Sequence, residues 1–315
     1  MNVVALAGGV GGAKLADGLA RLNPSPNLTV IVNTGDDFNL FGLHISPDLD
    51  TVCYNLAGME GPNTGWGRSD EGWDVFQEIQ KLGGPGWFRL GDKDLATHLE
   101  RTRRLQSGEP LSKITADFCR AWGIDAAVLP MSDDPVPTMV LTDQGELAFQ
   151  DYFVKLDCEP AVIGFRFQGV ENSRPAPGVL EAIQGSDLIV ICPSNPWVSI
   201  EPILAVPGIR TALEEKLVLA ISPIIAGEAV KGPAAKMYLE MGISPSAGAV
   251  AKHYGNLLDG IMIDEQDEEL MKSIKNRDTH SLRVICADTW MKTREDRVRL
   301  AGEVLDFGQQ IIEEV

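Results

Sequence analysis

Residues 6–19, LAGGVGGAKLADGL, decide how the chain is read. Five glycines and one lysine stand between an apolar run at 2–7 (NVVALA) and an amphipathic continuation. In that continuation Ala13, Leu15, Ala16, Leu19, Ala20 and Leu22 recur at helical spacing. The break NPSPN follows, then a second apolar run at 28–33 (LTVIVN). This is a strand, a glycine loop, a helix and a strand, and such a crossover joins parallel strands.

The loop fits no standard nucleotide fingerprint. A P-loop needs a glycine before its lysine and Ser or Thr after it, but Lys14 follows Ala13 and precedes Leu15. Gly9-x-Gly11 matches the first half of a dinucleotide fingerprint, yet Lys14 stands where the third glycine belongs. Its physics still favours an anion. Gly9, Val10, Gly11 and Gly12 offer backbone N–H groups at a helix start, and Lys14 in the first turn opposes the helix dipole unless an anion lies nearby. A tight turn without a ligand is the other reading.

The surroundings set bounds. The chain has 315 residues, 44% of them hydrophobic, enough for one large α/β domain or a core domain with an insertion. No segment approaches the roughly 18 apolar residues of a membrane span, and MNVVALAGG lacks the basic region of a signal peptide. The five cysteines form no CxxC pair, which fits reduced thiols in cytoplasm. A net charge of −18 opposes nucleic acid and anionic membranes as partners. It also means that an anionic substrate needs lysines, arginines, helix N-termini or a divalent metal; the acidity serves solubility equally well.

Along the chain, 51–125 reads as a mainly helical insertion, with helices ending near Gly83 and Gly108. Residues 127–170 read as a β-rich segment with a hairpin at TDQGEL. The strand–helix rhythm returns with DLIVIC, LVLAI, GIMID and SLRVICADT and closes on a long amphipathic helix. The fold expected over 1–315 is a single α/β domain: a Rossmann-like, mostly parallel sheet with helices on both faces. The apolar face of the last helix leaves room for a homodimer.

In open parallel sheets, ligands bind beyond the carboxyl ends of the strands. Asn33, Thr34, Asp36 and Asp37 therefore belong beside the glycine loop, followed by Asp48 and Asp50 in SPDLDT. Read as extended chain, SPDLDT points both carboxylates the same way. Asp36, Asp37 and Asp48 are candidate ligands for Mg²⁺; helix capping is the alternative. PSNPW, SPIIAGEAVKGPA and LGDKDLATH are further polar segments at strand or helix ends.

Taken together, LAGGVGGAKLADGL, VNTGDDFNLFGLHISPDLDTVCYNLAG, WFRLGDKDLATHLERT, ICPSNPWVSIEPIL and LAISPIIAGEAVKGPAAKM make the chain similar to the 2-phospho-L-lactate transferase family over nearly its whole length. The most specific segments are ISPDLDT and LGDKDLATH. The resemblance implies a reaction in the synthesis of the deazaflavin coenzyme F-420. A guanosine diphospho-linked lactyl, enolpyruvyl or glyceryl donor is attacked by the ribityl hydroxyl of the precursor Fo, and GMP leaves. On that reading Asp50, with Asp48, is the candidate catalytic residue, and Asp50 meets Fo. Arg89 and Lys93 face the phosphate or the deazaflavin; Asn33 lies with the loop phosphates; Asn195, Lys231 and Gly232 face the guanosine. Three rivals remain: a related transferase or binding protein for a nucleotide sugar, a nucleotide-binding regulatory protein of a related family without transferase activity, and a nicotinamide oxidoreductase, which Lys14 disfavours.

Overall fold

The computed structural model describes residues 1–61, 64–275 and 282–314. The chain begins with β1 (Asn2–Ala7), α1 (Gly9–Ala20) and β2 (Asn27–Val32), then a hairpin of β3 (Phe38–Leu40) and β4 (Leu43–Ile45). Four helices follow: α2 (Pro47–Leu56), α3 (Asp74–Lys81), α4 (Asp92–Gln106) and α5 (Leu111–Ala121). Next come β5 (Ala127–Pro130), β6 (Thr138–Thr142), β7 (Gly145–Ala148), β8 (Val162–Phe167), α6 (Val179–Gln184) and β9 (Leu188–Ile191). They lead to α7 (Glu201–Ala205), α8 (Ile209–Leu213), β10 (Val218–Ile221), the ribbon β11 (Ile224–Ile225) and β12 (Glu228–Ala229), α9 (Ala234–Glu240) and α10 (Ala247–Tyr254). The chain closes with β13 (Gly260–Asp264), α11 (Met271–Lys275), β14 (Arg283–Ala287) and α12 (Arg294–Glu314).

Seven strands form the central sheet in the order β14-β13-β10-β9-β1-β2-β5, every neighbouring pair parallel. Its apolar runs are continuous because both faces are covered. Val4 and Leu6 of β1, with Ile189 and Ile191 of β9, face the core under α6–α11; Val3, Ala5, Ala7, Leu188 and Val190 face the core under α1, α2 and α12. The strand order runs one way from β1 through β2 to β5 and the other way from β9 to β14. The topological switch point therefore lies between the carboxyl ends of β1 and β9.

The segment 127–170 holds four strands divided between two sheets. β5 joins the edge of the main sheet, while β6 forms a separate antiparallel sheet with β7 and β8, its hairpin turning at Asp143–Gln144. Leu49, Val52 and Cys53 of α2 pack into the same core as α1. One sequence expectation about the fold needs correction: the apolar face of α12 is not free, since Leu300, Ala301, Val304, Phe307 and Ile311 are buried in that core, which removes the basis given for a dimer. The main-chain carbonyl of Arg297 lies where a side chain at Gly18 would project, so α1 and α12 cross in direct backbone contact. Among the described residues no helix is long and apolar enough to cross a membrane.

Candidate active site

At the switch point, the loops after β1 and β9 are packed hard against each other. Ser194 Oγ donates to the Gly8 carbonyl at 2.8 Å. A Cβ on Gly8 would lie 2.6 Å from Ser199 Cβ, one on Gly12 2.7 Å from Ser194 Oγ, and one on Gly11 would strike the Pro193 carbonyl. These glycines are needed for close approach of backbones; Gly9 is needed because its φ is +62°. Gly9 opens α1, and its N–H is already taken, donating to Asp48 Oδ1 at 2.6 Å. The helix N-terminus thus carries an anion supplied by the protein. Val10 and Gly11 follow in the first turn, where N–H groups have no partner within the helix.

SPDLDT is the start of α2, with Pro47 at the first helical position and Asp48 and Asp50 in the first turn. At about 100° per residue, a spacing of two sends side chains in nearly opposite directions. This corrects the extended reading. Asp48 turns to the glycine loop, where its Oδ2 also accepts from Asn33 Nδ2 at 2.9 Å. Asp50 turns to α4, where Arg101 grips both of its oxygens, Nη1 donating to Oδ2 at 3.0 Å and Nη2 to Oδ1. Both oxygens of Asp50 therefore accept from Arg101, which ties the start of α2 to α4.

Behind Arg101 the polar network continues. His98 Nδ1 lies 3.2 Å from Arg101 Nη1, His98 Nε2 lies 3.4 Å from Asp94 Oδ1, and Tyr54 OH donates to Asp94 Oδ1 at 2.8 Å. Among the described residues, only Asp50, Asp94 and His98 bring one possible metal-ligand atom each within 4.8 Å of one another. Arg101 makes that group a neutralised one.

The turn after β2 holds the unneutralised acids. Asp37 Oδ2 accepts from Ser46 Oγ at 2.8 Å and lies 3.0 Å from His44 Nε2. Asp36 Oδ2 reaches only Gln150 Nε2, at 3.4 Å. Asp36 Oδ1, Asp37 Oδ1 and Thr34 Oγ1 are buried without a hydrogen-bond partner. Burial, then the neighbouring charges of Asp48 and Asp37, hold the Asp36 carboxyl well above the usual carboxylate range. Burial pushes Asp48 up to about 6 against the donors Asn33 and Gly9, and burial raises Asp37 against His44 and Ser46. Asp36, Asp37 and Asp48 thus sense one another's charge, although they do not converge as tightly as the Asp50 group.

The remaining predicted residues sort by their contacts. Asn33 is fully buried and spent internally, on Asp48, on the Val198 carbonyl at 3.2 Å and on the Gly35 N–H at 2.8 Å; it positions rather than binds a phosphate. Asn195 Oδ1 accepts from the Trp197 N–H at 3.0 Å, capping the turn Pro196–Ile200. Arg89 lies over the Trp73 ring at 4.4 Å and Lys93 pairs with Asp70 on the surface. In LGDKDLATH, Asp92 caps α3 through the N–H groups of Asp74 and Val75, while Glu71 caps the helix Asp92 begins. Gly232 has φ +75° and open space around it.

Lys14 and Lys231 belong together. Lys14 Nζ donates to the Met291 carbonyl at 2.7 Å and Lys231 Nζ to the Thr64 carbonyl. Burial lowers the pKa of each, with Arg297 adding to the effect on Lys14 and Lys14 to that on Lys231.

A family model described as 2-phospho-L-lactate transferase CofD matches residues 3–301. The chain belongs to this family. A phosphoenolpyruvate transferase of Streptomyces griseus is 43% identical over 99% of both chains. A phosphoenolpyruvate transferase of Kitasatospora aureofaciens is 47% identical over 87% of this chain and 88% of its own. The 2-phospho-L-lactate transferase of Methanosarcina barkeri is 37% identical over 98% of this chain and 99% of its own. A solved structure from Bacillus halodurans, described as a upf0052 family member, superposes with TM-score 0.64 at 15% identity, covering 96% of this chain and 98% of that one; it supports the fold. The protein is therefore an enzyme of the CofD transferase family.

Sequence reasoning missed several residues of this CofD-family pocket. Arg101 was read only as part of a helix, yet Asp94, His98 and Arg101 fall at i, i+4 and i+7, one polar stripe on α4. Ser194 and Gln150 carry no local signal; their roles arise from contacts 186 and 114 residues away.

Proposed function

We propose that this CofD-family enzyme moves a phosphorylated three-carbon acid from a guanosine diphospho-linked donor to the ribityl hydroxyl of Fo, in the synthesis of coenzyme F-420. The hydroxyl oxygen bonds to the distal phosphorus, the bond from that phosphorus to GMP breaks, and a phosphodiester results. The phosphoenolpyruvyl donor is favoured, because relatives of that name are 43% and 47% identical whereas the 2-phospho-L-lactate transferase is 37% identical. The observation that carries the reading is the acid pocket beside the switch point: Asp36 and Asp37 after β2 lie near Asp48 at the start of α2, and one buried oxygen each of Asp36 and Asp37 has no donor.

That pocket fits a divalent cation. The orphaned oxygens of Asp36 and Asp37 are what a hard cation takes as ligands. Asp36 and Asp37, with Asp48, would hold Mg²⁺, which when bound supplies charge neutralisation for the diphosphate. The protein's own groups do the positioning that dominates phosphoryl transfer. Asn33 fixes Asp48 against the glycine loop. Arg101 holds Asp50 and thereby ties α4 to the start of α2. Lys14 and Lys231 face the anionic donor. A homodimer and a cytoplasmic location are compatible with this chemistry but are not needed by it.

The test is direct. Purified protein, Mg²⁺, Fo and the guanosine diphospho-linked enolpyruvyl donor should give GMP and a more acidic fluorescent product in equal amounts. Neither GMP nor product, with each of the three donors, would refute the reading.

A further inference from the structure

We propose that Trp66 is the platform on which a planar heteroaromatic ring of the substrates stacks, with Lys14 and Lys231 facing the diphosphate beside it. The inference rests on the transferase reading above, whose substrates carry two such rings, guanine and the deazaflavin.

Trp66 stands apart from the other five tryptophans. Trp73 meets Phe76 and Arg89; Trp87 meets Phe38 and Phe88; Trp122 meets Tyr54 and Phe118; Trp197 meets Phe165 and Tyr238; Trp290 carries Lys292 over its ring. Among the described residues Trp66 has no aromatic or cationic partner, and it is 42% exposed. An exposed ring alone is ordinary on a protein surface. What distinguishes this one is how it is held.

Its loop is braced. The Gly61 N–H donates to the Gly67 carbonyl at 3.1 Å, the Gly65 N–H to the Gly61 carbonyl at 2.9 Å, and Thr64 Oγ1 to the Trp66 carbonyl at 2.6 Å. Gly65 and Gly67, on either side, have φ of +71° and +65°, a conformation that L residues rarely adopt. The main chain thus turns left-handed before and after the tryptophan and presents it outward. Asn55 of α2 donates to the Gly65 carbonyl at 3.2 Å, linking the loop to the helix that carries Asp48 and Asp50.

The loop also lies on the glycine-rich turn. A Cβ on Gly65 would come within 2.6 Å of Val10 Cγ1, in the first turn of α1. Lys231 donates to Thr64, two residues before the tryptophan. Lys14 is one helical turn beyond Val10. Among the described residues neither lysine has a carboxylate within ion-pair distance; Lys14 is half-buried and Lys231 is exposed. Two ammonium groups that hold only carbonyl oxygens suit an anion, and an unpartnered indole on the loop that Lys231 grips suits the ring attached to it.

The experiment compares wild type with Trp66→Phe, Trp66→Ala and Trp66→Leu, measuring KM for donor and for Fo separately from kcat. Stacking predicts that Trp66→Ala and Trp66→Leu raise KM for one substrate about tenfold or more, while Trp66→Phe stays within about threefold. Melting temperatures should stay together, because the ring is exposed. The substrate whose KM moves identifies the ring, guanine or deazaflavin. Turnover with Ala, Leu and Phe variants alike for both substrates would overturn the proposal and leave the transferase reading standing. If wild type does not turn over, the transferase reading fails. Stacking is then judged by the fluorescence difference between wild type and Trp66→Phe, titrated with GDP and with Fo. No quenching of that difference by either would overturn it.

Discussion

Two ionic clusters are buried against α1 and α2, and their charges are balanced in opposite ways. In one, Arg297 Nη1 donates to Asp17 Oδ2 at 2.8 Å and to Glu60 Oε1 at 3.2 Å, Arg21 Nε donates to Asp17 Oδ1 at 2.6 Å, and Arg294 Nη2 donates to Glu60 Oε2 at 3.1 Å. Every oxygen of both carboxylates has a donor. In the other, Arg101 holds Asp50, while Asp36 and Asp37 each keep one buried carboxylate oxygen without a partner. The first cluster satisfies its carboxylates as the chain folds and leaves Arg297 Nε without a partner. The second leaves buried carboxylate oxygens without a donor, and on the proposed function a divalent cation would take them.

The comparison is easiest to break at Arg297. Arg297→Ala strands Asp17 and Glu60 in the interior and should destabilise the protein by about 3–5 kcal/mol in urea unfolding. Turnover per folded molecule should hardly change. A stability near wild type would show that the first cluster is not structural.

Asp36→Asn is the counterpart in the second cluster. Turnover should fall about 100-fold or more, comparable to losing one group that stabilises the transition state. Stability at neutral pH should hold or rise, because the substitution removes a carboxyl whose charged form is disfavoured by burial and by Asp48 and Asp37. A large loss of stability with normal turnover would make this pocket structural as well.

A third prediction uses Asp48. Its carboxyl moves from an ordinary 3.8 up to about 6 in the fold, so between those values the folded state binds more protons than the unfolded state. Stability should therefore fall as pH rises from about 4 to about 6, by up to about 3 kcal/mol from this group. Urea midpoints of chelator-treated protein against pH should show this slope in wild type and a flatter one in Asp48→Asn. Parallel profiles would mean that Asp48 is not held as described.

The two clusters were unequally visible in the sequence. The strands were legible, because a sheet buried on both faces leaves uninterrupted runs such as LIVI in β9, all four residues buried. The glycine loop and the acids after β2 were legible as neighbours, since strand ends converge at the switch point. SPDLDT was misread because Pro47 and two aspartates look like a loop, although proline at the first position and acids in the first turn also start helices. The Asp50–Arg101 pair spans 51 residues, and Lys14 meets Lys231 only through the folded chain. Such partners follow from tertiary contacts, which local patterns do not record.

The smallest effect is expected at the surface. Lys93→Ala breaks only the exposed pair with Asp70, so stability should change by less than about 0.5 kcal/mol in thermal unfolding. A KM for Fo raised tenfold or more would instead bring Lys93 into the acceptor site.

The central claim is that the unbalanced carboxylates await a divalent cation. The measurement that tests it most directly is turnover of donor and Fo by wild type in excess EDTA, followed by titration with Mg²⁺, with Asp36→Asn run in parallel. The account predicts no product in chelator, recovery with added Mg²⁺ in wild type, and little recovery in Asp36→Asn at the same concentrations. Full turnover in chelator, or a Mg²⁺ response unaltered by Asp36→Asn, would contradict it.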